Sequence, residues 1–119
     1  MVIEMLTKEV ETLVTNLYNT NQNLITICLL DSNGNISLFL SKNNVEEGEK
    51  KRLAASIMAS VVLAERSIVN LIQENVKHVI IKGEHAMTII FTTKSKDYVY
   101  IEADLEFDYK DILKLDLNF

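Results

Sequence analysis

The stretch KKRLAASIMASVVLAERSIVNLI, Lys50 to Ile72, restricts the fold more than any other segment of the chain. A helix lying on one sheet needs a single apolar stripe and keeps its opposite face polar. Here the middle turns contain only Ser56, Ser60, Glu65, Arg66 and Ser67 as polar residues. Such a helix is either immersed in a membrane or covered by protein on two sides. No run of about 18 uncharged apolar residues occurs, and Glu65 and Arg66 interrupt this segment itself, so a membrane span is excluded on length and charge. The pattern predicts a helix from Glu46 to Gln73, roughly 40 Å long at 1.5 Å per residue. Glu46, Glu47 and Glu49 at its start oppose the positive end of the helix dipole.

The remaining elements follow from periodicity and turn residues. Ile3, Leu6, Val10, Leu13 and Leu17 recur at helical spacing, and Asn16, Asn19, Asn21 and Asn23 mark the exit of that first helix. Leu24 to Leu30 reads as a strand that is apolar on both faces apart from Thr26. Asp-Ser-Asn-Gly-Asn at 31–35 is a hairpin signal in which Asn33 and Gly34 can both take positive φ. Its partner strand is Ile36 to Leu40, and Ser41 to Asn44 forms the next loop. Three more strands are expected at Val76 to Lys82, Met87 to Thr93 and Tyr98 to Ala103, with connections short enough only for antiparallel hairpins. A short amphipathic helix is expected at Tyr109 to Leu115. The order is α-β-β-α-β-β-β-α. Strands with two apolar faces imply an α+β domain, residues 1–119, with helices on both faces of one five-stranded antiparallel sheet.

Register divides the long helix into two stripes. Ala54, Ile57, Val61, Ala64, Ile68 and Leu71 form a seam at spacings of three and four, of the kind that packs on another helix. Ala55, Met58, Val62, Val69 and Ile72 form a neighbouring stripe able to cover a sheet, and Leu53 and Leu63 add apolar area. Ser56, Ser60 and Ala64 make a row of small residues that would admit a close backbone. The other two helices are needed on the opposite face of the sheet, so the seam has no partner in its own chain. The expectation is a homodimer in which this helix meets its symmetry mate. The alternative is a monomer with the helix deep in its core. The strand VKHVIIKG, rich in β-branched residues, would be an aggregation hazard as a bare edge, and pairing with its copy would remove the hazard. Expected at the dimer interface are therefore Ala54, Ile57, Val61, Ala64, Ile68 and Leu71 with Val76, His78 and Ile80.

Charge and chemistry narrow the function. A net charge of −5 and a pI near 5.0 argue against a nucleic-acid binder. Cys28 is the sole cysteine and lies in an apolar run, which excludes a disulfide framework and suits a buried thiol. The charged N-terminus lacks the apolar core of a signal peptide, so the expected setting is cytoplasmic. His78 and His85 have Glu84 nearby but no third ligand at metal-site spacing. No phosphate loop and no nucleophile–base constellation is present. The strands offer no buried polar cluster to recognise a ligand, which argues against a small-molecule sensor. The chain is expected to be neither an enzyme nor a cofactor binder.

The order of elements, together with LITICLLDSNGNISLFLSK, GEKKRLAASIMASVVLAERSI and VKHVIIKGEHAMTIIFTTKSKDYVYIEAD, resembles the roadblock/LC7 family, in particular its bacterial MglB-like branch. The likeness runs from the first helix to Leu115. After Asp104 the chain departs from it, since EFDYKDIL stands where family members often carry Gly-Leu. The resemblance implies a three-layer, profilin-like fold and a dimer with a shared sheet and paired central helices, homotypic or formed with a paralogue. It also implies a non-catalytic scaffold or regulator of a Ras-like small GTPase, with a structural light-chain subunit of a larger assembly as the alternative. Arg52, Ser56, Glu65 and Arg66 are then the candidates to face the GTPase.

Overall fold

The structure is a computed structural model that describes residues 2–72, 77–93, 96–108 and 110. Its elements in chain order are α1 (Val2–Thr20), β1 (Leu24–Leu30), β2 (Ile36–Ser41), α2 (Glu47–Ile72), β3 (His78–Lys82), β4 (Ala86–Thr92) and β5 (Tyr98–Asp104). The helix expected at Tyr109 to Leu115 and the strand residue Val76 lie outside the described residues, except for Lys110.

The strands form one antiparallel sheet in the order β2-β1-β5-β4-β3. The hairpin β1–β2 and the three-stranded meander β3–β4–β5 meet where β1 pairs with β5, Ile27 opposite Ile101 and Cys28 opposite Tyr100. This places β2 and β3 at the two edges. Both faces of the central strands are buried. Leu24, Ile27, Leu29, Ile89, Phe91, Val99 and Ile101 join Val14 of α1 in one core, while Cys28, Leu30, Ile90 and Tyr100 join Ala54, Ile57 and Val61 of α2 in the other. Alternating residues of each strand thus serve different helices, which explains why the strands read as nearly continuous apolar runs.

The first hairpin closes differently from the expectation for Asn33-Gly34. Only Gly34 takes positive φ, at 86°, and Asn33 does not. The Gly34 amide donates to the Asp31 carbonyl at 3.0 Å, so a turn over 31–34 is followed by a single left-handed glycine. The loop is longer than the two residues for which a doubly positive turn is suited, and the register shift between Leu29 and Leu30 accommodates it. Asp31 organises the loop: its Oδ1 accepts the amides of Asn33 and Asn35, each at 2.9 Å. These bonds, led by that from Asn35, hold the Asp31 carboxyl below its ordinary range. Because the folded value is lowered, the stabilisation is present above the unfolded pKa and is lost as pH falls through the folded one. Asp31→Ala is therefore expected to lower the melting temperature at pH 7, followed by circular dichroism. Its deficit against the parent chain should shrink as the pH is taken below the ordinary carboxylate range, and a deficit constant with pH would contradict this role.

Candidate interaction face

The structure assigns the two stripes of α2 in the opposite sense from the sequence expectation. Ala54, Ile57 and Val61 are 7%, 1% and 2% exposed and sit on the sheet of their own chain. They are thus not available to a second copy. Ala55 and Val62, expected on the sheet, are exposed, while Met58 is half-buried against the α2-side core. The registers differ by one residue, a rotation of about 100° around the helix axis, and both satisfy a spacing of three and four. The narrow residue Ala54 and the branched Ile57 and Val61 fill the space above Cys28, Leu30 and Ile90, and this settles which stripe goes inward.

The outer face of α2 is consequently Lys51, Arg52, Ala55, Ser56, Ala59, Val62, Leu63, Arg66 and Ser67. Leu63 is 63% exposed and Val62 42%, an unusual placement for two adjacent aliphatic side chains. The serine hydroxyls on this helix turn back on its own backbone. Ser56 donates to the Arg52 carbonyl at 3.0 Å, Ser60 to the Ser56 carbonyl at 2.8 Å and Ser67 to the Leu63 carbonyl at 3.1 Å. The surface between the two arginines is therefore small, shallow and largely apolar.

The other expected interface residues are scattered. Ala64 and Ile68 are half-buried, and the side chain of Leu71 lies outside the described residues, as does Val76. His78 is exposed at the start of the edge strand β3, whereas Ile80 is partly buried against the α1-side core. Ile81, 51% exposed, shares the α2 side of the sheet with Val79 and was not singled out by the sequence, because alternation along the strand could not say how far α2 reaches. Among the residues expected to face a GTPase, Arg52, Ser56 and Arg66 are exposed, and Glu65 is half-buried near enough to Tyr98 to help raise its pKa after the effect of burial.

The remaining chemistry is sparse. Burial pushes the Cys28 thiol up to about 12, with Lys50 pulling weakly the other way, so it is an inert core group. His85 and Glu84 are 4.0 Å apart and both are fully in solvent. Among the described residues, no group of three or more His, Cys, Asp or Glu could hold a metal ion. No helix among them is long and apolar enough to cross a membrane.

No family model matches the sequence, and no curated protein matches it. Solved structures do. A roadblock/LC7 domain from Streptomyces avermitilis superposes with a TM-score of 0.66 at 15% identity, over 79% of this chain and 76% of that one. This is the roadblock/LC7 fold. MglB from Myxococcus xanthus superposes with a TM-score of 0.61 at 20% identity, over 81% of this chain and 76% of that one. An MglB with a tetrameric arrangement reaches 0.70 at 14% identity, over 91% of this chain and 81% of its own. The roadblock/LC7 resemblance read from the hairpin and the central helix is thus matched by the backbone.

The two stripes separate in consequence two substitutions only two residues apart, which lie about 200° from each other around the helix. Val61→Asp buries a charge within the monomer's own core and should abolish folding, or destabilise it by more than about 3 kcal/mol in chemical denaturation. Leu63→Asp should leave the melting temperature of the isolated fold nearly unchanged. Equal tolerance of both substitutions would show that the helix is seated in another register.

Proposed function

We propose that this roadblock/LC7 domain acts as a dimeric, non-catalytic platform for a Ras-like small GTPase. The observation that carries the dimer is the exposed apolar face of α2, with Val62 and Leu63 in solvent, on the same side of the sheet as Ile81 of the edge strand β3. A second copy covers this face economically, because an isologous contact hides the same patch twice. The exposed positions of α2 are symmetric about Ala59, with Ala55 and Leu63 four residues to either side and Arg52 and Arg66 seven. An antiparallel pair crossing at Ala59 would set Leu63 of each copy against the small Ala55 of the other. β3, the outermost strand beyond β4 among the described residues, could then pair with its counterpart, removing an edge rich in β-branched residues.

The GTPase reading rests on the roadblock/LC7 resemblance together with the exposure of Arg52, Ser56 and Arg66 at the flanks of this face. Exposed arginines beside a rigid apolar ridge suit a protein partner with a complementary acidic rim. The chain would act by holding that partner in position, within a water-filled, cytoplasmic compartment and without a cofactor of its own.

Ala59→Cys tests the crossing point. Mild oxidation should yield a covalent dimer through residue 59, with Cys28 taking no part because it is buried. A chain that stays monomeric in sedimentation and fails to cross-link would remove the dimer. For the partner, Ras-like GTPases encoded by the same genome can be tested for binding in both nucleotide states by calorimetry. Arg66→Glu should weaken the complex at least about tenfold while leaving the dimer intact. Absence of binding in either nucleotide state would leave the light-chain-type subunit as the better reading.

A further inference from the structure

The α2 side of the sheet carries a polar row that the sequence did not reveal. Ser41, Thr26 and Glu102 lie side by side on β2, β1 and β5, because Thr26 is opposite Ser41 on one side and Glu102 on the other. Thr26 is only 4% exposed. Its hydroxyl is 2.8 Å from the Ser41 hydroxyl and donates to Glu102 Oε1 at 3.3 Å. A carboxylate can only accept, so the direction of the chain is settled: Ser41 donates to Thr26, and Thr26 donates to Glu102. Ser41 Oγ in turn accepts the Asn43 amide at 3.1 Å. Every bond in the series points towards Glu102, whose Oε1 is its last acceptor.

Thr26 and Glu102 of this row line a 220 Å³ cavity beside the first turns of α2. Glu49 of α2 lines it from above, Phe39 and Tyr100 provide aromatic walls, and no Lys or Arg is among the described residues that line it. Burial, reinforced by the neighbouring Glu102 charge, pushes the Tyr100 hydroxyl up to about 12, so it stays a neutral donor. Lys50 is paired with Glu47, one turn along the helix, at 3.1 Å and lies 4.9 Å from the centre of the Phe39 ring, so one face of that ring is already taken by a cation of this chain.

We propose that this cavity binds the head of an alkylated cation, a guanidinium or primary ammonium on a short aliphatic stem. The Glu49 and Glu102 carboxylates in the lining supply charge-assisted acceptors, and the Tyr100 ring offers an aromatic surface to the stem. The volume is below that of a drug-sized pocket and suits one such head group. The proposal is independent of the GTPase reading, since it involves the end of α2 away from Leu63.

The test is a titration of the full chain, followed by amide chemical shifts in heteronuclear NMR. Butylguanidinium is compared with butylurea, which has nearly the same shape and no charge. Butylguanidinium should give saturable shifts centred on Thr26, Ser41, Asn43 and Glu102. Butylurea should bind at least about tenfold more weakly, as loss of a charge-assisted bond requires. Glu102→Gln should weaken binding by a similar factor. Glu49→Gln, at an exposed helix position that folding does not depend on, should also weaken it, whereas Glu84→Gln in the distant β3–β4 turn should not. A short arginine-containing peptide provides a second arm. Binding tighter than that of the free guanidinium assigns the head to a protein side chain, and weaker binding assigns it to a small solute. Shifts that do not saturate, equal response to butylurea, or indifference to both glutamate substitutions would overturn the proposal.

Discussion

The sheet's two apolar faces are the constraint on which the rest of the molecule depends. Each central strand presents large side chains to both sides, Ile27 and Leu29 to α1 and Cys28 and Leu30 to α2, so neither face can be left to water. On the α2 side, the inward stripe is narrow. Ala54 lets the helix axis come close, and Ile57 and Val61 reach down between Leu30 and Ile90. Fully burying side chains of this size contributes about 1.5–3 kcal/mol each; Val62 and Leu63 would gain as much, so the close approach at Ala54 decides the seat and not hydrophobicity. Once this contact is made, the orientation of every other residue on α2 is determined. Leu63 is then outside because Ile57 and Val61 are inside.

The fold was legible in the sequence because its signals are local. Turn residues at 31–35 delimit the first hairpin, short connections force the later strands to be antiparallel, and glutamates mark the start of α2. The facing of α2 was not legible from apolar spacing alone, since two stripes one residue apart both satisfy it. A further clue was present. Arg52, Ser56 and Arg66 lie on the stripe of Ala55, Ala59, Val62 and Leu63, whereas the stripe of Ala54, Ile57 and Val61 carries no charge between Lys50 and Glu65. A stripe flanked by arginines has to keep access to water, even when a partner covers its middle. The polar row was beyond such reasoning: Thr26 and Glu102 are 76 positions apart and meet only through the β1–β5 register. In the sequence, Thr26 is merely the polar exception in an apolar strand.

The two sheet edges differ in a way that bears on assembly. β2 ends in Ser41 and turns into Lys42, whose ammonium is bonded to the Gln22 carbonyl, so that edge is finished with polar side chains belonging to this chain. β3 is short, with Val79, Ile80 and Ile81 at its centre and Ile81 largely in solvent. Natural sheets protect edges by charge, irregularity or coverage. β2 has the irregular register at Leu29 and Leu30 beside it, whereas β3 pairs with β4 in unbroken register from His78 to Lys82. The regular, apolar edge is the one better suited to continue into a second sheet.

The serines of α2 connect these features. An exposed hydroxyl next to Val62 and Leu63 would ordinarily oppose a dry contact, because its hydration must be given up when a partner arrives. Ser56, Ser60 and Ser67 avoid much of that cost by donating to the carbonyl one turn back. Their donors are already satisfied within the helix, and what remains outward is a shallow surface of methylene and methyl groups. Serine in place of alanine thus keeps the isolated chain wettable without obstructing a closely approaching helix. The same economy does not extend to the first turns of α2, where Glu49 overlooks Thr26 and Glu102 and the lining is charged and aromatic. One helix therefore carries two surfaces of different chemistry, an apolar ridge in its middle and an acidic cavity beside its start.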